Sequence, residues 1–431
     1  MINTFNSLPF SPYSPDYFPN SVIPFLERCQ QDVPFYFNYP IDSVTSYADL
    51  CCLPLLTKHQ FRSAFPKQIL SKYLSLSPSL LPSYLSITRT SGSTGERVMC
   101  LADHRISGLP GNHLSEFPFG SNSLEDIRLA VLSSPICQGL TCDLMDTRTY
   151  EQRISGPRQN ILNLPIPVNL SHIDLDYLHQ IQSELLSHRP NVLLVDPIYL
   201  YLIAKSSLLH NLTLWHPKLI FYSYEFVPNN ALKFLKSFFS SSHFRSYYAA
   251  TELGGARIAI ECQNGNLHCW PDHTLVEILD INNNHCQPGE IGRVVVTNII
   301  NSLMPLIRYE IGDLASWRSQ ECSCSLSNWP IIQFHGRSDH SIAIKEKYIS
   351  NFLLDSIISR HSSIEIYNMY FNTRSISISY PADDTPLSLS QEISITNSLY
   401  SLGFTDITFQ PSLQLYPEPS RKFRLFRRLD D

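Results

Sequence analysis

The chain has 431 residues, of which 43% are hydrophobic and 16% are charged. This composition can bury a large core over two or three structural units, and it argues against a mainly disordered chain. A net charge of −6 argues against nucleic-acid binding, which requires a basic face.

The start of the chain and its longest apolar run predict a protein without a signal peptide or a membrane span. Residues 1–15, MINTFNSLPFSPYSP, lack a basic segment followed by an apolar one. The run NVLLVDPIYLYLIA at 191–204 contains Asp196 and Pro197 and is too short to cross a bilayer. We therefore expect a soluble, cytoplasmic protein without a membrane partner, whose eleven cysteines are reduced.

The first hundred residues predict an irregular start, one helix and a hairpin. Residues 1–50 are rich in proline and aromatic side chains and show no clear period, so we expect an irregular N-terminal wrap. Thr57 is suited to cap a helix that follows it. Residues 87–98, ITRTSGSTGERV, have flanks that favour strands, which predicts that the polar segment between them is a connection.

Apolar runs and helical spacings alternate between residues 125 and 300. This pattern is typical of α/β layers with mostly parallel strands. Buried strands are expected at 129–135 and 191–196, and helices are expected at 172–189 and 229–241.

The last part of the chain is richer in strands. Strands are expected at 274–280 and 292–299, and a smaller α+β pattern ends in a last strand near 405–410. We therefore predict an α/β fold with two domains. Residues 1–336 form a large multilayer N-terminal domain with parallel-rich sheets and a β-rich subdomain, and residues 337–431 form a small, mobile α+β domain.

The polar segment inside 87–98 has the composition of a phosphate-binding loop. Backbone N–H groups in a tight turn, hydroxyls and closely approaching glycines can all hold phosphate oxygens. It is not a Walker A loop, because Glu96 and Arg97 follow the last glycine where lysine and a hydroxyl residue are required. Taken alone, these residues fit a solvated turn equally well. The candidate phosphate ligands are Ser91, Gly92, Ser93, Thr94 and Gly95.

Three later stretches point to one family. They are SYYAATELGG at 246–255, RYEIGDLASW at 308–317 and GRSDHSIAIK at 336–345. Together with the polar loop, they resemble in order and spacing the motifs of the AMP-forming adenylating ligases, in particular the phenylacetate-CoA ligases and their capsule-biosynthesis relatives. The resemblance covers nearly the whole chain, from VPFYFNYP at 33–40 to SRKFRLF at 420–426.

This resemblance implies an enzyme that activates a carboxylic acid. The acid attacks the α-phosphate of ATP, pyrophosphate leaves and an acyl-adenylate forms. The acyl group then passes to CoA, to the thiol of an acyl-carrier protein, or to an amine or hydroxyl. The resemblance thus implies ATP, Mg²⁺, a small carboxylic acid as substrate and a homodimer, whereas the identity of the acid is open.

The family motifs assign roles to residues near the nucleotide. The resemblance implies that Thr251 contacts the α-phosphate, Glu252 binds Mg²⁺ and Asp313 accepts hydrogen bonds from the ribose. It also implies that Tyr248 stacks near adenine and that Glu225 belongs to the adjoining pocket.

Three further residues lie at or beyond the expected domain boundary. The resemblance implies that Lys422 stabilises the developing negative oxygens, that Arg337 is a second cation and that Asp339 is the hinge. The residues themselves also allow simpler interpretations. Glu252 could be a first-turn carboxylate of a helix, Asp313 could shape a turn, and Lys422 could belong to a solvated basic tail.

The chain departs from the family pattern at several positions. Ala249 replaces a glycine, which is tolerated if its φ is negative. Ser223 and Tyr224 replace two small pocket residues. Arg97 and Val98 replace a proline and a lysine that relatives often carry after the last glycine of the loop, and Arg97 could contact a phosphate or point to solvent. Glu346 replaces a glycine that lines the pantetheine tunnel of relatives, which puts CoA as the acceptor in doubt.

Four residues predict a structural Zn²⁺ site. Cys262 and His268 are followed by the C-x-C pair Cys322 and Cys324, and thiolates with imidazole are the ligands of closed four-coordinate zinc sites. A similar arrangement in metal-bearing relatives supports this prediction. Cys269 could compete as a ligand, and unliganded thiols near a turn are the alternative.

Two other functions stay open from the sequence. One is an adenylyltransferase that leaves AMP on its substrate, and the other is a non-catalytic nucleotide-binding protein with a decayed site. The charged residues Glu252, Asp313, Arg337 and Lys422 are all present, which argues against decay.

Overall fold

The computed structural model describes most of the chain. The described residues are 18–74, 81–90, 98–106, 127–133, 148–156, 158–167, 173–344, 347–381, 387–411 and 423–429. None of the helices in these ranges has both the length and the apolar composition needed to span a bilayer.

The described ranges contain nine α-helices and twenty strands. The helices are α1 (Val22–Asp32), α2 (Tyr47–Cys51), α3 (Lys58–Ala64), α4 (Tyr150–Arg153), α5 (Leu175–His188), α6 (Pro197–Leu209), α7 (Asn229–Phe238), α8 (Asn351–His361) and α9 (Leu389–Leu402). The strands are β1 (Leu85–Arg89), β2 (Met99–Asp103), β3 (Leu129–Leu132), β4 (Ile154–Ser155), β5 (Ile161–Asn163), β6 (Val192–Val195), β7 (Leu219–Tyr222), β8 (His243–Tyr248), β9 (Ala259–Glu261), β10 (Leu267–Cys269), β11 (Thr274–Leu279), β12 (Gly292–Asn298), β13 (Tyr309–Arg318), β14 (Ile331–Arg337), β15 (Ile342–Ile344), β16 (Lys347–Ile349), β17 (Asn368–Phe371), β18 (Ser375–Ser379), β19 (Asp406–Gln410) and β20 (Phe426–Arg428).

The first of two compact units comprises Met1–Glu116 and Tyr247–Ser338. Its main sheet is antiparallel, with β11, β12, β13, β14, β10 and β9 in order and the end of β8 paired to β9. Strands β1 and β2 form a separate antiparallel hairpin, as the flanks of the polar loop predict. One apolar core joins this sheet to α1 and α3.

The second unit comprises Phe117–Ser246 and Asp339–Asp431. Strands β8, β7, β6, β3 and β5 run parallel, and β4 pairs antiparallel at the edge. A four-stranded sheet has the order β19, β18, β17 and β20. The predicted domain division at 336/337 stays a prediction, because compact units describe packing and not which part of the chain moves.

The longest apolar run folds as a strand followed by a helix. The carboxylate of Asp196 accepts a hydrogen bond from the N–H of Ile198 at 3.0 Å, and Pro197 occupies the first turn of α6. Both features favour the start of a helix. The strands and helices expected between residues 125 and 241 are confirmed as β3, β6, α5 and α7.

Two sequence-based expectations are wrong. Residues 1–50 are not irregular throughout, because α1 buries Val22, Phe25, Leu26 and Cys29, which recur at helical spacing. The strand near 405–410 is present as β19 but is not the last one, since β20 pairs in parallel with β17. Within residues 423–428, buried apolar side chains interrupt the basic ones, so this stretch is not a solvated tail.

Asp355 of α8 is a buried carboxyl group that caps α7. It accepts hydrogen bonds from the hydroxyl of Tyr367 and, at 3.1 Å, from the N–H of Asn229. Burial raises the pKa of Asp355 to about 6, although these donors and the charge of Lys233 act in the opposite direction.

This raised pKa predicts a pH-dependent stability. The folded protein holds the proton to a higher pH than the unfolded chain, whose Asp355 titrates near pH 3.8. Its contribution to the free energy of unfolding is therefore complete below pH ~4 and is lost as the pH rises through ~6, a change of about 3 kcal/mol. We expect the Tm of the wild type, relative to that of Asp355→Asn, to fall between about pH 4 and 6, where only the folded protein still holds this proton, and to change little above that range. A Tm difference that stays constant across this range would contradict the prediction.

Candidate functional site

A tight turn after β8 carries Thr251 and Glu252. Thr251–Leu253 is a single 3-10 turn, and it ends at Gly254, whose φ is +64°. Thr251 is exposed and Glu252 is buried. Ala249 is not among the described residues with positive φ, so alanine fits where relatives have glycine.

The β1–β2 hairpin packs directly on this turn. The thiol of Cys100 lies 3.4 Å from the carbonyl oxygen of Thr251, to which it donates, and the N–H of Asp103 donates to the carbonyl of Gly254 at 2.8 Å. At the open end of the hairpin, Thr90 and Val98 are joined by two hydrogen bonds of 2.9 Å. Thr90 and Val98, which flank residues 91–97 in the chain, are therefore joined to each other on the hairpin that contacts the turn.

Gly254 permits this close packing, so we expect Gly254→Ala to disturb it. An added Cβ would lie 2.5 Å from the carbonyl oxygen of Leu101 and 2.5 Å from Nδ2 of Asn301. We expect Gly254→Ala to lower the free energy of unfolding by about 1–3 kcal/mol more than Gly289→Ala does. Gly289 is a matched control, because its φ is also positive but no atom lies within 4 Å of its added Cβ. Chemical denaturation of both variants measures the difference, and equal losses would contradict the prediction.

Glu252 lies in a buried environment with several charged neighbours. The hydroxyl of Tyr309 donates to its carboxylate at 3.4 Å. Burial raises the pKa of Glu252, the charges of Lys58 and Arg337 lower it, and the charge of Asp313 raises it.

Asp313 and Arg337 lie on paired strands and form an ion pair. Arg337 Nη1 is 3.1 Å from Oδ1 of Asp313, and the hydroxyl of Tyr248 donates to Oδ2 at 2.6 Å. Burial and the Asp313 charge raise the pKa of Tyr248 well above its usual value, so the phenol stays protonated as a donor. The ring of Tyr248 packs against Phe334 at 4.8 Å between centroids. The first unit thus brings Tyr248, Asp313 and Arg337 into one network.

The remaining predicted site residues lie elsewhere. Glu225, in the second unit, accepts hydrogen bonds from the backbone N–H of Phe423. Asp339 is in the 3-10 turn Ser338–His340. The first unit ends at Ser338, and Asp339 is the residue at which the second unit resumes. The roles assigned to the site residues stay predictions. Ser91, Gly92, Ser93, Thr94, Gly95, Arg97, Glu346 and Lys422 lie outside the described residues.

The four predicted zinc ligands converge on one point. Their ligand atoms lie within 4.8 Å of one another, and all four residues are buried. The Sγ atoms of Cys262 and Cys322 are 3.7 Å apart, and Sγ of Cys324 is 3.4 Å from Nε2 of His268. A tetrahedral zinc ion with ordinary bond lengths would give separations of about 3.8 Å and 3.6 Å. The donor set therefore fits zinc in type, number and spacing.

Neighbouring groups orient these ligands. Nδ1 of His268 is 3.1 Å from the carbonyl oxygen of Trp329, which favours a proton on Nδ1 and leaves Nε2 as the ligand atom. Burial opposes ionisation of the Cys322 thiol, but the side-chain amides of Asn266 and Asn264 donate to it and lower its pKa to about 5. Cys269 is not in the cluster, because adjacent residues of a strand point to opposite faces.

A second cluster of possible ligands fits a metal less well. Cys51, Glu277 and His285 also have ligand atoms within 4.8 Å of one another. Arg308, however, donates to both oxygens of Glu277, at 3.0 and 2.7 Å. A buried guanidinium beside the carboxylate supplies the positive charge that a metal would bring.

Sequence reasoning missed some of the contacting residues. Cys100 and Phe334 belong to no motif, and they become relevant only because of the elements that pack against them. Asn264 and Asn266, in contrast, flank Gly265 between Cys262 and His268. That turn composition could have indicated donors to a metal-bound thiolate.

Comparisons with known proteins relate this architecture to ligases. No protein-family model matches the chain. Over 101 residues it is 31% identical to the phenylacetate-coenzyme A ligase of Thermus thermophilus, a stretch that covers 23% of this chain and 23% of that ligase. The match therefore spans less than a quarter of the curated relative's length.

Solved structures resemble nearly the whole chain. A 2-hydroxyisobutyryl-CoA ligase, solved in the postadenylation state in complex with R3-HIB-AMP, has a TM-score of 0.69 at 15% identity, covering 99% of this chain and 94% of that one. The amide bond synthetase McbA from Marinactinospora thermotolerans has a TM-score of 0.52 at 13% identity, covering 81% and 70%. At such identities the likeness shows a shared fold.

Proposed function

Because this chain has the fold of the AMP-forming adenylating ligases, we propose that it activates a small carboxylic acid with ATP. A carboxylate oxygen of the acid attacks the α-phosphorus, and the bond from that phosphorus to the bridging oxygen breaks. Pyrophosphate leaves with the electron pair, and an acyl-adenylate remains. The acyl group then passes to the thiol of CoA or to an amine, and AMP is released.

The observation that carries this proposal is the contact between the β1–β2 hairpin and the Thr251–Gly254 turn. The carbonyl of Thr251 accepts from Cys100, so the hairpin whose strands flank the candidate phosphate loop packs on the turn that carries the buried carboxylate of Glu252. Phosphoryl transfer requires positioning and charge stabilisation more than covalent catalysis. A phosphate loop on this hairpin and a carboxylate for a hard cation on the turn would meet that requirement.

The candidate site residues of the first unit each have a role in this proposal. Glu252 would hold Mg²⁺, which supplies positive charge to the phosphate oxygens. Thr251 would contact the α-phosphate. Asp313, held by Arg337 and Tyr248, would accept the ribose hydroxyls, and Tyr248 would bound the adenine side.

Two further groups complete the proposal. Lys422 would bring a compact positive charge to the oxygens that become negative during the transfer. The Cys262, His268, Cys322 and Cys324 cluster would hold a structural zinc, because four protein ligands leave no position for a reacting water.

The proposals for the acyl acceptor and the oligomeric state rest on similarity to other proteins. Similarity to an amide bond synthetase supports an amine as one acceptor beside CoA. The resemblance also supports a carrier-protein thiol as acceptor and a homodimer.

Acid-dependent pyrophosphate release tests the proposed function. The purified protein is incubated with ATP, Mg²⁺ and a panel of aliphatic, hydroxy and aromatic acids, with hydroxylamine to trap the activated acyl group. We expect pyrophosphate, free AMP and a hydroxamate with at least one acid and without CoA. Parallel reactions with CoA or with amines then identify the acceptor.

Other outcomes identify the other functions. AMP that stays covalently attached to the second substrate would indicate an adenylyltransferase. ATP binding without pyrophosphate release from any acid would indicate a non-catalytic nucleotide-binding protein. Either result would overturn the proposal.

A further inference from the structure

A polar cleft of about 450 Å³ lies beside the four proposed zinc ligands. Cys322 lines this cleft together with Asn264, Asn266 and Arg318, whereas the other three ligands do not line it. Cys322 is 8% exposed, and Cys262 is fully buried. A small polar molecule in the cleft therefore meets Cys322 before it can reach the other ligand residues.

The cleft presents Cys322 in the form that reacts with oxidants. A cysteine that binds a metal is deprotonated, and the thiolate is the reactive form of the side chain. The side-chain amides of Asn264 and Asn266 donate to Sγ of Cys322 at 3.5 Å and 3.3 Å, which stabilises the same ionised form. Arg318 donates to the amide oxygen of Asn266 at 3.3 Å, so the N–H end of this amide faces the sulfur.

A second sulfur lies within reach of Cys322. Sγ of Cys262 is 3.7 Å from Sγ of Cys322, and an oxidised cysteine condenses readily with a neighbouring thiol. Cys324 is the less suitable partner. Its Sγ already accepts from the N–H of Leu326 at 3.3 Å, and a bond to Cys322 would close a tight ring across Ser323 alone.

We propose that Cys322 is an oxidation site at which a peroxide joins its sulfur to that of Cys262 and thereby releases the zinc. The Cys322 thiolate attacks one peroxide oxygen, the O–O bond breaks and hydroxide leaves, which gives a sulfenic acid. The Cys262 thiolate then attacks this sulfur, the S–S bond forms and a second hydroxide leaves. Two electrons pass from the thiolates to the peroxide, and the loss of two ligands ends zinc binding. The inference rests on the structural zinc proposed above and not on adenylation.

Titration of the zinc-loaded protein with hydrogen peroxide tests this site. The protein is purified without chelators and freed of reductant, and a chromogenic chelator records the zinc that is released. We expect about one equivalent of zinc to leave for each disulfide formed, because the site has lost half of its ligands. Treatment with a dithiol and fresh zinc should restore the metal content, since thiol–disulfide exchange reverses the bond.

Peptide mapping locates the disulfide. Trypsin releases Cys262 in the peptide 258–293 and releases Cys322 with Cys324 in the peptide 319–337. We expect peroxide to join these two peptides, with fragmentation placing the bond between Cys262 and Cys322. The bond should appear in step with zinc release.

Two cysteines outside the cluster serve as controls. Cys269→Ser removes a buried thiol from the same tryptic peptide as Cys262, and it should change neither the cross-link nor the zinc release. Cys52 is exposed, so its oxidation, measured by alkylation, shows the peroxide dose that modifies an ordinary accessible thiol.

The outcomes separate this inference from the proposals before it. If the purified protein contains no zinc, the structural zinc fails, while the cross-link still tests the pairing of Cys262 with Cys322. Retained zinc without a cross-link, at doses that oxidise Cys52, would overturn the oxidation site. A disulfide confined to the peptide 319–337 would overturn the choice of Cys262 as the partner. Pyrophosphate release affects none of these readouts.

Discussion

Replacing Lys422 with alanine is expected to lower acid-dependent pyrophosphate release by about 10²- to 10³-fold, which is the usual cost of removing one preorganised group that stabilises transition-state charge. The residues that directly follow Lys422 in the sequence are anchored. Phe423 is anchored by Glu225, and the strand β20 that follows is paired with β17.

A matched variant separates this effect from a general loss of positive charge. Arg428 is an exposed residue of β20 and carries the same charge. We expect Arg428→Ala to retain the rate of pyrophosphate release within about twofold, as for surface substitutions away from a site. Thermal unfolding of both variants should match the wild type. Normal pyrophosphate release in Lys422→Ala would remove this residue from the mechanism.

Replacing Cys322 with serine is expected to abolish zinc binding and to destabilise the protein strongly. The wild type, purified without chelators, should contain about one equivalent of zinc. Structural zinc sites couple about 10–16 kcal/mol of binding free energy to folding in small domains, so we expect the apparent Tm of Cys322→Ser to fall by about 10 °C or more. Elemental analysis and thermal unfolding measure the two effects.

Two further variants make this test specific. Cys269→Ser alters a buried cysteine next to His268 that is outside the ligand cluster, and it should keep its zinc. Asn266→Ala removes the amide that donates to Sγ of Cys322 at 3.3 Å, and it should weaken zinc affinity by about 10- to 100-fold. A wild-type protein with less than about half an equivalent of zinc would contradict the site.

Local sequence determined the elements that depend on neighbours along the chain. Thr57 caps α3, with its side chain accepting from the N–H of Gln60, as its residue type predicts. Asp196 and Pro197 convert one apolar run into a strand and a helix. Hydrophobic spacing likewise predicted α5 and α7, because helix periodicity is a local property.

The candidate ligands Cys262, His268, Cys322 and Cys324 were also predictable from composition, since few side chains other than cysteine and histidine provide such ligands. That these ligands lie close together in space was not predictable, because the separation of Cys262 and Cys322 along the chain does not determine the distance between them. The pairing of β10 with β14 brings these two parts of the chain next to each other.

The tertiary structure alone decided how the chemical groups meet. The contact of Tyr248 with Asp313, the packing of Cys100 on Thr251, and the hydrogen bond from Phe423 to Glu225 all join residues far apart in the chain. The basic stretch 423–428 left an alternative open for the same reason. Its charges suggested a solvated tail, whereas pairing with β17 and burial of Phe426 make it a strand. Motifs thus determined which groups this protein carries, and only strand pairing and packing determined which of them touch, because distance in space is set by the fold and not by sequence separation.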